Sequence, residues 1–164
     1  MAISIISETM REALLNQWVE EKENSHTYLY IGAWMKNKGL DNLGKYFMDA
    51  SKEEDGHAQS IVDLLTDLNV AFEPRILTNM TFTISSILDI AEKFVDREVQ
   101  TTQSLQSIKQ IAIEEDELSS IVEEHMRKMI HQQQSEMEEC LTFMDKSLLF
   151  KEWWQVALWD LSLK

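Results

Sequence analysis

One cysteine, one proline and four glycines in 164 residues leave this chain few devices for stapling, turning or kinking itself. Cys140 alone makes no internal disulfide and no Cys-rich zinc spacing, so the fold must rest on a packed core, which a chain of this length can supply as one unit spanning 1–164. No segment reaches the roughly 18 uncharged apolar residues of a membrane span. The N-terminus also lacks the basic region and cleavage site of a signal peptide, and the expected location is cytoplasmic with no membrane partner. Positive charge is scarce: 15 Lys and Arg against 29 Asp and Glu give a formal net charge of -14. The few basic residues are scattered, which argues against nucleic-acid binding and favours cationic partners or metal ions.

What the chain does carry is helical periodicity. Apolar residues recur at steps of four and three, strand-like alternation is missing, and the fold class is all-α. Ser7 can cap a first helix running to about Lys38, where Gly39 offers a stop, and a second helix follows from about Leu40 to Asn69. "VAFEPRILTNMTFTI", residues 70–84, contains Pro74, loses the period and reads as an extended crossover. Ser85 or Ser86 can cap a third helix reaching about Ile113, and "EEDE" precedes a fourth from about Leu118 to Leu149. Two tight connections around a long one describe a four-helix bundle, about 7–149, with helices two and three parallel. The tail, 150–164, holds Trp153, Trp154 and Trp159, too many apolar rings to leave exposed; they dock on the bundle or on another subunit.

Each core stripe carries polar residues. In the first helix it runs Leu14, Trp18, Glu21, Ser25, Tyr28, Gly32, Met35; in the second, Leu43, Phe47, Ala50, Glu54, His57, Ile61, Leu64, Leu68. The third places Glu98 among Ala91, Val95, Thr102 and Leu105, and the fourth places Gln133 and Glu136 among Val122, Met126, Met129, Cys140 and Phe143. A buried carboxylate costs several kcal/mol unless paired or coordinated. Four carboxylates and one imidazole converging at mid-bundle, with no Lys or Arg on the stripes, must take up protons or bind cations. Two divalent ions would neutralise four carboxylates, and oxygen donors with one imidazole suit iron or manganese without excluding zinc. Glu54, shared by position between both ions, is the natural bridge. Gly56, between Glu54 and His57, either leaves space near the site or tolerates close packing.

These residues resemble those of bacterial non-haem ferritins, members of the ferritin-like di-iron carboxylate family. "ISETMREALLNQWVEEKENSHTYLYIGAW" looks like the ferritin first helix, with a metal-ligand glutamate at Glu21 and a near-site tyrosine at Tyr28. "ASKEEDGHAQ" is similar to the family's Glu-Glu-x-x-His-Ala segment, with the bridge at Glu54 and the ligand at His57. "SSILDIAEKFVDRE" resembles the start of the third helix and ends on the second-site Glu98. In the fourth helix the family's Glu-Gln-x-Glu-Glu meets Gln132, Gln133, Gln134, Ser135, Glu136. Alignment on the stripe and on "FMDK" puts the family's glutamine at Gln133 and an iron-binding glutamate at Glu136; a shifted register would turn His131 or Gln132 inward. Gln132 and Ser135 then replace carboxylates of a third iron site, from which Glu53 remains.

The resemblance implies an iron-storage subunit with ferroxidase activity. Two Fe2+ per subunit would bind, Glu21, Glu54 and His57 at one site and Glu54, Glu98 and Glu136 at the other, and pass electrons to dioxygen or peroxide. Tyr28 would donate a hydrogen bond or an electron, and Gln133 would orient oxygen or water. The resemblance further implies a homo-oligomer, a 24-subunit shell holding ferric mineral, although the tail reads as a shortened or redirected version of the family's fifth helix. Three rivals stand beside this reading: a noncatalytic structural or interaction subunit, a di-metal oxidase of another substrate, and a DNA-protecting mini-ferritin. The last fits poorly, because that family builds its iron site between subunits.

Overall fold

In a computed structural model describing residues 6–115 and 120–163, the chain forms α1 (Glu8–Asn37), α2 (Asp41–Asp67), α3 (Ile87–Glu114), α4 (Ser120–Leu149) and α5 (Trp153–Ser162). No strand occurs among the described residues, and no described helix is long and apolar enough to cross a membrane. The expected start of the fourth helix at Leu118 lies outside the described residues.

Local signals set the ends. The Ser7 hydroxyl accepts from Met10 N at 3.0 Å, and Gly39 takes φ 79°, the left-handed conformation that lets the chain reverse into α2. Of the two candidate caps for α3, Ser86 forms the capping box with Asp89. α2 has no side-chain cap of its own at Leu40; instead the Leu43 backbone N–H donates to the Asp160 carboxylate of α5 at 2.7 Å. That anion lies where the helix dipole favours it.

Two apolar clusters fill the bundle. One joins Leu14 and Leu15 of α1 to Ile61, Leu64 and Leu65 of α2, Leu105 and Ile108 of α3, and Val122 and Met126 of α4. The other joins Ile31 and Met35 of α1 to Leu43 and Phe47 of α2, Ile90 and Phe94 of α3, Cys140 and Phe143 of α4, and Val156 and Trp159 of α5. The N-terminal half of α1 thus meets the C-terminal half of α2, while α2 and α3 pair N-terminal half with N-terminal half and run parallel. Residues 70–84 supply the long crossover. It is tied along α1 by Arg75 donating to Glu12 at 2.8 Å, Thr78 N to Glu23 Oε1 at 3.1 Å, and Tyr30 Oη to Phe82 O at 2.8 Å.

α1 and α2 cross closely. A Cβ on Gly32 would lie 2.9 Å from the Gly44 carbonyl oxygen, and one on Gly44 would lie 2.9 Å from the Gly32 carbonyl oxygen. Gly56, by contrast, faces open space, so close packing is not its purpose. The tail divides its faces: Val156, Trp159 and Asp160 are buried on the chain's own bundle, whereas Trp154, Leu158 and Leu161 are exposed.

Candidate metal centre

Glu21, Glu54, Glu98 and Glu136 sit mid-helix, one from each of the four bundle helices, in the layer between the two apolar clusters. Glu21, Glu54 and Glu98 are almost wholly buried; Glu136 and His57 are partly so. Apolar walls above and below remove water, so any charge here needs a local partner.

His57 is the hub. Its Nδ1 lies 3.5 Å from Glu54 Oε2 and 3.8 Å from Glu21 Oε2, and its Nε2 lies 3.5 Å from Glu136 Oε1. Glu21, Glu54 and His57 each bring one donor atom within 4.8 Å of the others, and so do Glu54, Glu98 and Glu136. Glu54 belongs to both groups, the position expected of a bridge. Among the described residues, Glu21 Oε2, Glu54 Oε2 and Glu136 Oε2 are buried with no hydrogen-bond partner. Three orphaned carboxylate oxygens in one layer are what a cation-binding cage leaves when protein donors alone are counted.

Glu98 is held differently. Tyr28 Oη donates to its Oε1, and Gln133 Nε2 donates to its Oε2 at 2.5 Å. Tyr28 is fully buried, its ring edge-on to Phe94 at 5.2 Å. In α4, Gln133 is buried while His131 and Gln132 are exposed, and Glu136 joins Glu54 and Glu98. Glu53 is exposed and outside both donor groups, though its charge reaches Glu136; Ser135 is also exposed.

The electrostatics follow from crowding. Burial, with the charges of Glu98 and Glu21, pushes the Glu136 carboxyl up to about 8 against the pull of His57. Burial alone would lower His57, but the carboxylates of Glu21 and Glu54 close to its ring raise it to about 11. Glu54 and Glu98 are both raised, chiefly by burial, and Tyr28 is raised well above its usual value by burial and the Glu98 and Glu54 charges. Without a metal, protons balance the cage.

Sequence patterning missed Gln17. It is fully buried and donates Nε2–H to Glu21 Oε1 at 2.8 Å. The apolar stripe favoured Trp18, which is only partly buried and packs edge-on to Phe72 of the crossover at 5.1 Å. A glutamine four residues before a buried glutamate, on the same helix face, is the signal that could have found it.

The class these features define is a single-crossover four-helix bundle with a mid-bundle cage of carboxylates and one histidine. The family model for the ferritin-like domain matches residues 11–148, and the chain belongs to the ferritin family. It is 24% identical over 117 residues to the bacterial non-heme ferritin of Staphylococcus aureus (strain USA300), covering 71% of this chain and 70% of that one. It is 25% identical over 96 residues to that of Campylobacter jejuni, 58% of each chain. Among solved structures, the open pore ferritin of Archaeoglobus fulgidus superposes with a TM-score of 0.89 at 21% identity, over 96% of this chain and 97% of that one. Chlorobium tepidum ferritin gives 0.84 at 19%, over 96% and 94%. The fold therefore continues through α5, which the bundle pattern left undecided.

Proposed function

We propose that this chain is an iron-storage ferritin subunit that oxidises Fe2+ at a two-metal site within one chain. The observation that carries the reading is the meeting of three orphaned buried carboxylate oxygens, from Glu21, Glu54 and Glu136, around His57. One Fe2+ is held by Glu21, Glu54 and His57 and the other by Glu54, Glu98 and Glu136. Each iron gives up one electron, and dioxygen or peroxide takes both.

The protein's part is positioning and charge. His57 gives up its proton to become a ligand, and the proton held on Glu136 leaves as the ions enter. Tyr28 and Gln133 hold both oxygens of Glu98 and so fix that carboxylate in place. Glu53 is the remnant of a third site, weakened by Gln132 and Ser135. Ferric product passes to a mineral inside a homo-oligomeric shell; the exposed apolar face of α5, with Trp154, Leu158 and Leu161, suits burial by further copies.

The test is aerobic Fe2+ addition with oxygen uptake, ferric absorbance and iron per subunit followed together, beside the size of the particle. Wild type should consume oxygen in proportion to iron and retain the product, and Glu54→Ala with His57→Ala should abolish the fast phase. Iron-independent oxygen traces, or unchanged rates in the double variant, would leave a noncatalytic subunit as the better account.

A further inference from the structure

Glu21 and Glu98 belong to the two different donor groups, yet they are held in opposite ways. Both oxygens of Glu98 accept hydrogen bonds, whereas only Oε1 of Glu21 is bonded to a neighbouring side chain and its buried Oε2 is left bare toward His57. The bond to Oε1 comes from Gln17, whose own Oε1 accepts from Ser104 Oγ of α3 at 2.5 Å. With the Ser104 hydroxyl donating, the amide has one orientation: carbonyl toward α3, NH2 toward Glu21. Turned over, it would set its carbonyl oxygen against a carboxylate oxygen.

We propose that Gln17, locked by Ser104, is a positioning residue that occupies one oxygen of Glu21 and so presents the other as the single ligand atom to the His57-side metal. This rests on the two-metal reading above. The lock also ties the ligand on α1 to α3, so the carboxylate is placed by the bundle rather than by its own helix alone. Partners that orient ligands in this way typically govern affinity by about 10- to 100-fold.

Metal-stripped protein titrated with Co2+, followed by calorimetry and by the visible d–d bands, tests the assignment without any turnover. Wild type should bind two Co2+ in resolvable steps, and the step lost in His57→Ala identifies the His57-side position. Gln17→Leu should weaken that step by about tenfold or more and change its band shape, leaving the other step in place. Ser104→Ala should show a smaller loss of the same step, and Ser104→Thr, which keeps the hydroxyl, should match wild type. Circular dichroism confirms the fold of each, and Ser104→Ala, at a half-buried position, carries the test if Gln17→Leu does not fold. Wild-type protein that takes no Co2+ overturns the two-metal reading and this inference with it. Two normal steps in wild type with neither shifted, or both shifted alike, in the variants overturn the inference alone.

Discussion

Stability of the metal-free protein should fall as pH rises through neutrality. Burial and neighbouring carboxylates hold the Glu136 carboxyl at about 8 in the folded chain, against about 4.5 when exposed. His57, between Glu21 and Glu54, is held at about 11 against 6.5. Both folded values lie above the unfolded ones, so the folded state binds more protons. The stabilisation is whole below the unfolded pKa and is lost as pH climbs through the folded one. The Glu136 window is then about pH 4.5 to 8 and the His57 window about pH 6.5 to 11. Where they overlap the folded chain holds two protons that the unfolded chain has released. Each contributes about 1.4 kcal/mol per pH unit, so the slope approaches about -2.7 kcal/mol per unit. Divalent ions entering the cage should displace those protons, and with Zn2+ present the slope should flatten or reverse. Urea unfolding by circular dichroism at fixed protein concentration, in EDTA and in Zn2+, between pH 6.5 and 8, measures both. Glu136→Gln removes one proton's share and should take away about half of the metal-free slope. Metal-free stability that is level or rising over this range, or a slope untouched by Glu136→Gln, refutes the proton-balanced cage.

Three further outcomes follow from the packing. Gly32→Ala should cost about 1–3 kcal/mol by urea unfolding. Met48 can swing aside, but the Gly44 carbonyl oxygen 2.9 Å from the new methyl is backbone, and unaltered stability would mean that the two helices do not cross this closely. Asp160→Asn should loosen α5 by weakening the bond to Leu43 N and removing the charge at the α2 N-terminus, a loss of up to about 1 kcal/mol; amide exchange across 153–162 should quicken while that of mid-α3 does not. Gly56→Ala meets nothing within 4 Å and should gain up to about 1 kcal/mol with Co2+ binding intact. A loss of binding there would give Gly56 a role at the site.

The helices were legible because period 3.6 survives in all four stripes, and the crossover because Pro74 and the loss of period coincide. Glu54 and His57 stood out for the same reason: on a row running from Leu43 to Leu68, two polar residues break an otherwise unbroken apolar pattern. The α4 register was the harder case. His131 through Glu136 is polar at every position, so the stripe had to be carried in from Met126, Met129 and Cys140 on either side, and burial of Gln133 with exposure of Gln132 shows that this extrapolation kept its phase.

α1 shows where such reading stops. It is buried on more than one side, against α2, α3 and the crossover, so its polar residues Gln17, Asn24, Ser25 and Thr27 are all inside. Thr27 turns back on Glu23 O of its own helix, but the other three are satisfied by partners that sequence spacing does not reveal: Ser104 for Gln17, Thr101 and Arg97 for Asn24, Ser51 for Ser25. Asp160 on the N-terminus of α2 is the same case at the other end of the bundle. Hydrophobic periodicity is a property of one helix against an averaged interior, whereas a buried hydrogen bond belongs to two helices at a fixed register. Polar residues that interrupt an apolar stripe can therefore be found from one strand of text, while the residues bonded to them are found only once the helices are set side by side.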